Sequence, residues 1–215
     1  MTEESWAAAL VFPIGHLVGA MGRSETTIRV GKRMVTLPLE GAFQVWGLAH
    51  GDEERVGIAP WTVADLRRSA ETLVGIADVD RYLHELRAAS LLEVVIPRSV
   101  EASQFARTYR LLPLQHGMAE PPKSAPPDRL FLAARPFGWP RAQLIEELYA
   151  IWQFAPMTSS LWQMAERFSQ QALEDGLDPA EASVDVVLND LLQTLHVLLS
   201  QSAGYLDLAI PEASR

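Results

Sequence analysis

The sequence predicts an α+β protein, mostly helical with small β-sheets, built as two similar units in tandem. Three observations carry this. Apolar residues recur at helical spacing in several separate segments. β-branched residues gather in short runs beside turn formers. An aromatic and apolar pattern in the first half returns in the second half, 106 to 114 residues later.

Composition bounds the reading. A chain of 215 residues fits one large domain or two small ones. At 48% hydrophobic and 21% charged it has material for a core and lacks the charge of a disordered chain. The absence of cysteine excludes disulfides, zinc–thiolate sites and thiol catalysis, and it fits a cytoplasmic location. The longest apolar stretch, Trp6 to Met21, is interrupted by Pro13, Gly15 and His16 and follows Glu3 and Glu4. It is too short and broken to span a bilayer and lacks the cationic start of a secretory signal, so no membrane contact is expected. Leu10–Val18 reads instead as a buried strand or docking segment. Net charge is −9 and uneven: residues 1–118 carry 12 Lys+Arg against 14 Asp+Glu, and residues 119–215 carry 6 against 13. Such a balance repels phosphate overall but leaves room for a local basic face in the first half.

Element by element, Thr26–Val30 and Met34–Leu37 are β-forming runs joined by Gly31-Lys32-Arg33, a hairpin signal. Leu39–His50 has helical spacing at Leu39, Ala42, Phe43, Trp46 and Ala49, and Gly51 ends it. After the loop Asp52–Pro60, Thr62 caps a second helix, Val63–Ala70, with Asp65 in its first turn. Asp78 caps a third, Val79–Ala89, whose apolar face is Val79, Leu83 and Leu86. Leu91–Ile96 is a strand closed by Pro97, Arg98–Gln104 a polar turn, and Phe105–Leu112 a returning strand. Helix, helix, helix, strand, turn, strand is the order of a winged helix, with the strand pair as the wing.

Five prolines in Pro113–Asp128 predict a semi-rigid linker between a domain 1–112 and a domain 129–215. The second domain repeats the first. Phe43-Gln44-Val45-Trp46-Gly47-Leu48-Ala49 matches Tyr149-Ala150-Ile151-Trp152-Gln153-Phe154-Ala155, and Val79–Leu86 matches Leu188–Leu195. Leu92-Glu93-Val94-Val95-Ile96-Pro97 matches Leu206-Asp207-Leu208-Ala209-Ile210-Pro211. In this copy Pro140 opens a helix to about Phe154, Ser159 or Ser160 caps the next, and Asp178-Pro179 starts a long helix to about Gln201. That helix carries a wide stripe from Val184 to Leu199, which must be buried on more than one side or pair in a homodimer through 179–201. No returning wing strand is expected after it.

Little in the chain points to catalysis. None of His16, His50, His84, His116 and His196 has a second ligand at metal-binding spacing. Phosphate-loop, dinucleotide and nucleophile-elbow motifs are absent, so neither enzyme activity nor a cofactor is expected. Arg67, Arg68, Arg81, Arg87, Arg98 and Arg107 stand where a DNA-reading winged helix places its contacts. Asp78, Asp80 and Glu85 share the third helix with two of them, and the equivalent helix of the second copy has Asp185 and Asp190 and no cation. DNA binding is therefore confined to the first half, if present at all.

Residues 28–96 resemble the precursor-peptide recognition domains of ribosomal peptide natural-product pathways, the family of the pyrroloquinoline quinone peptide chaperone. The motifs are a short hairpin ending Val35-Thr36-Leu37, then Val45-Trp46, Gly51, Thr62-Val63-x-x-Leu66, and Leu83-x-x-Leu86 leading into Leu91-Leu92. The resemblance implies that an extended peptide adds a strand to the hairpin edge and packs on the third helix. The loop Asp52–Pro60, the strand Phe105–Leu112 and the second half depart from the family's pattern.

The expected function is a non-catalytic tandem winged-helix adaptor acting through protein or peptide contacts. Its site is Met34, Val35 and Thr36 with Arg81, His84, Glu85 and Ala88 on the third helix. A DNA-binding transcriptional regulator, or an acidic accessory subunit of a chromosome-organising complex, is the alternative.

Overall fold

The computed structural model describes residues 3–21, 24–57, 59–118, 126, 128–134 and 139–211. It is α+β, with helices packed around four small sheets. A short helix α1 (Glu3–Ala7) leads into β1 (Leu10–Pro13). The next three strands form an antiparallel sheet in chain order: β2 (His16–Met21), β3 (Glu25–Val30) and β4 (Arg33–Pro38). The β3–β4 turn has Gly31 at φ 57, the left-handed geometry that a two-residue hairpin needs.

Four helices follow: α2 (Ala42–Leu48), α3 (Glu53–Val56), α4 (Val63–Val74) and α5 (Val79–Ala88). The α4 cap is reciprocal, since Thr62 Oγ1 accepts from Asp65 N and the Asp65 carboxylate accepts from Thr62 N. The Asp78 side chain caps α5 by accepting from Arg81 N. β5 (Leu92–Val95) comes next, then α6 (Val100–Thr108) and β6 (Tyr109–Pro113).

Here the structure corrects the sequence reading. The turn expected over Arg98–Gln104 covers only Arg98 and Ser99, Val100–Gln104 is helical, and the expected strand from Phe105 begins only at Tyr109. Ser99 caps a helix by accepting from Ala102 N, and that helix buries Ala102, Phe105 and Ala106. Nor do β5 and β6 form a wing. β5 pairs antiparallel with β1, and β6 pairs with β10 (Gly204–Leu208). Each strand finds its partner far away in sequence, and the helix α6 stands between the two in the chain.

In the second half, β7 (His116–Gly117), β8 (Leu130–Ala133) and β9 (Pro140–Leu144) form another antiparallel sheet. Pro140 opens β9 rather than a helix, a position where its missing N–H is tolerated. The helix expected there starts at Glu146 as α7 (Glu146–Phe154). A 3-10 turn, Ala155–Met157, precedes α8 (Leu161–Glu174), and α9 (Val184–Ser200) completes the helices. α9 begins five residues later than Pro179 suggested, after turns that bury Ala182. β10 falls on the strand that the match of Leu206–Pro211 to Leu92–Pro97 predicts, and among the described residues no strand follows it. Half of the expected linker, 119–125 and 127, lies outside the described residues, while Pro113 belongs to β6 and Gln115 is buried.

One apolar core runs through both halves. Phe12 of β1 is stacked between Phe105 at 4.9 Å and His196 of α9 at 4.7 Å. His196 Nε2 donates to Val11 O at 2.7 Å. The apolar stripe of α9, Leu188, Leu191, Leu192, Leu195, Leu198 and Leu199, is buried within this chain. Each such leucine contributes about 1.5–3 kcal/mol. That face is therefore not available to a second copy.

Candidate functional site

β4 is the edge of its sheet. The two-residue turn makes Val30 and Arg33 a bonded pair, and bonded and non-bonded pairs alternate along an antiparallel ladder. Val35 and Leu37 thus turn their backbone groups toward β3, and Met34 and Thr36 turn theirs outward. Among the described residues nothing bonds to those outward groups. Side chains alternate as well: Val35 and Leu37 pack on the core, while Met34 and Thr36 are exposed.

α5 lies beside this edge. Arg33 ties the hairpin to the end of α5 by donating to Ala89 O at 2.8 Å. Between the end of β4 and the start of α5 is a cleft of about 350 Å³, lined by Leu37, Pro38, Ala42, Tyr82 and Leu86, with Glu40, Arg81 and Glu85 among its polar groups. Its shape depends on Gly41, whose φ of 68 turns the chain into α2 and whose missing Cβ leaves room for the Tyr82 hydroxyl. Arg81 lies 4.4 Å over the Tyr82 ring and 3.6 Å from Glu85.

Of the residues expected from the sequence, Arg81 and Glu85 line the cleft. Met34 and Thr36 are exposed on β4 but do not line the cleft, and His84 and Ala88 lie on the exposed face of α5. Val35 points inward instead. Leu37 ends the strand expected to dock the peptide, whereas Tyr82, Leu86 and Pro38 were not expected in the site. The signal for Tyr82 was its place on the flank of the third helix, one residue beyond the apolar face.

Most of the six arginines expected to face DNA have partners within the chain. Arg67 pairs with Asp80 at 2.6 Å and Arg68 with Asp65 at 3.2 Å. Arg87 lies over Trp6 at 5.1 Å, and Arg107 over Trp162 at 3.7 Å in a cleft that includes Glu166. Arg98 lines another cleft, between α6 and α9, with Asp185. Together with Arg81 beside Glu85, these positions spend most of the cations on carboxylates or rings of the chain itself.

No group of three or more His, Asp or Glu side chains among the described residues is placed to hold a metal ion. No helix among them is long and apolar enough to cross a membrane. Comparison with family models, with curated proteins and with solved structures found no match for the chain.

Proposed function

We propose that this chain is a non-catalytic adaptor of tandem winged-helix build that captures an extended polypeptide by strand addition to β4, beside α5. The observation that carries the reading is the unpaired outward edge of Met34 and Thr36 on a strand whose end, Leu37 and Pro38, lines a cleft against α5. Backbone pairing along an edge supplies affinity, and the pocket beside it supplies selectivity. The resemblance of residues 28–96 to precursor-peptide recognition domains points to the same surface.

Element order supports the tandem description. The series β1, a three-stranded sheet, α2, α4, α5, β5 is matched by β6, a three-stranded sheet, α7, α8, α9, β10. Each closing strand pairs with its opening strand. In each unit the first-helix tryptophan donates to a buried backbone carbonyl, Trp46 to Ile14 O at 3.2 Å and Trp152 to Ala203 O at 3.0 Å.

Among the described residues, the second unit does not offer an open edge of this kind. In the second, Pro140 has no N–H to give, and Gln143 N is taken by the Gln201 side chain at 3.0 Å. The α9 positions that match Arg81, His84, Glu85 and Ala88 are Asp190, Gln193, Thr194 and Val197, of which Asp190 is exposed and the other three are half-buried. The arginine pairings weigh against the DNA-regulator alternative, since a phosphate would have to displace carboxylates already in place.

The test is Thr36→Pro. Proline removes an outward N–H that the folded chain does not use, and it is tolerated on edge strands. Peptides selected by display on the full chain should bind the variant at least tenfold more weakly, while its melting temperature stays close to wild type. Equal binding by a folded variant would place the docking surface elsewhere.

A further inference from the structure

A second cleft, of about 380 Å³, lies between the end of α2, the start of β2 and the turn joining α9 to β10. It is distinct from the β4–α5 groove. Its walls include His16, Trp46, His50, Leu199 and Tyr205, with Gly47 at the rim. No Asp, Glu, Lys or Arg lines it among the described residues.

The hydrogen-bonding capacity of these walls is fixed by the fold. His50 Nδ1 lies 3.1 Å from both Trp46 O and Gly47 O. Carbonyl oxygens only accept, so Nδ1 carries the proton and Nε2 of the neutral ring is left as an acceptor. No described residue bonds to that Nε2. Burial, the largest influence, lowers the His50 pKa, which keeps the ring neutral. Tyr205 Oη accepts from Arg29 Nη2 at 3.0 Å, so its own O–H remains available to donate. The His16 ring packs on Tyr205 at 4.9 Å, and its Nδ1 is buried without a partner. Trp46 presents its indole edge-on to His50 at 4.5 Å.

Gly47 adds a separate observation. It lies within α2, where glycine costs about 0.5–1 kcal/mol relative to alanine. Neither backbone geometry nor packing accounts for it: its φ is not left-handed, and an added Cβ would meet nothing within 4 Å. The space a side chain would occupy there is the mouth of the cleft.

We propose that this cleft binds an uncharged, planar nitrogen heterocycle of one or two rings that bears an N–H. The ring N–H donates to His50 Nε2, a ring acceptor takes the Tyr205 O–H, and the flat faces pack among the four aromatic side chains. No formally charged side chain lines the walls, and the Arg29 guanidinium behind them is engaged by Tyr205, so a carboxylate or phosphate would be desolvated there without a direct ionic partner. The volume is at the lower end of small-molecule sites, which suits one or two rings.

The experiment uses the full chain and benzimidazole as probe, with binding read from amide chemical shifts in two-dimensional NMR. Saturable shifts are expected at Gly47, Gly51 and Gly204. 1-Methylbenzimidazole, which has no N–H, should bind about tenfold more weakly, the value of roughly one hydrogen bond. Gly47→Leu should abolish the shifts while leaving the melting temperature equal or higher, because leucine is the better helix former. Failure of millimolar benzimidazole to give saturable shifts would overturn the proposal. So would equal binding by Gly47→Leu, or benzoate binding as tightly as benzimidazole.

Discussion

At the scale of single residues, buried histidine has the largest consequence. His196 is fully buried, and burial is the main cause that pushes its pKa down to about 4. The unfolded chain takes up this proton near the ordinary value of 6.5, before the folded chain does. Its contribution to stability is therefore complete above about pH 6.5 and is lost as pH falls toward 4. A difference of that size corresponds to about 3 kcal/mol. His50 and His16, whose pKa values are also lowered, act with the same sign. Urea titrations from pH 7 to pH 4 should show stability falling through this window, and His196→Leu should flatten the profile while lowering stability at pH 7. An unchanged profile in that variant would mean that other groups govern the acid response. From the sequence His196 was legible only as a lone histidine within an apolar helix. That it reaches Val11, 185 positions away, was not legible, because no local pattern encodes a distant acceptor.

At the scale of elements, the helices were more legible than the strands. Asp78, Thr62 and Ser160 cap α5, α4 and α8 where the sequence placed caps, because a cap satisfies local N–H groups and depends on neighbouring residues alone. α6 was missed because Arg98–Gln104 is polar, and its apolar face of Ala102, Phe105 and Ala106 is short. Its cap was nonetheless present in the sequence as Ser99, whose hydroxyl donates to Ile96 O at 2.7 Å and accepts from Ala102 N at 3.1 Å. Ser99→Ala should cost about 1 kcal/mol. The denaturation midpoint should move without a change in slope; a changed slope would mean that the variant alters the compactness of a state rather than one cap. The candidate site followed the same division. The hairpin and the third helix were identified locally, whereas the cleft between them needs Gly41 and Tyr82 brought face to face.

At the scale of the whole molecule, the two halves expected from the Pro-rich segment share one core. β10 is paired with β6 along Tyr109–Pro113, His196 bonds to Val11, and Gly15 N donates to Leu206 O at 2.7 Å. Proteolysis between Pro113 and Asp128 should therefore give two fragments that remain together on size exclusion under native conditions and part only in denaturant. Fragments that separate without denaturant would show that residues 1–112 and 129–215 are independent domains after all.

The sequence by itself determined the α+β class, the positions of α2, α4, α5 and α8, the β3–β4 hairpin, and, among the described residues, the lack of a helix long and apolar enough to cross a membrane. Each of these follows from periodicity, caps or turn residues within about a dozen positions. Tertiary structure alone decided that β1 closes on β5 and β6 on β10, that the stripe of α9 is consumed inside the chain, and that β4 keeps its edge while β9 loses part of its own to Gln201. The physical reason is that strand pairing and burial are non-local. An apolar strand satisfies its backbone with whichever edge the packed helices bring beside it, and that choice is made only when the core assembles.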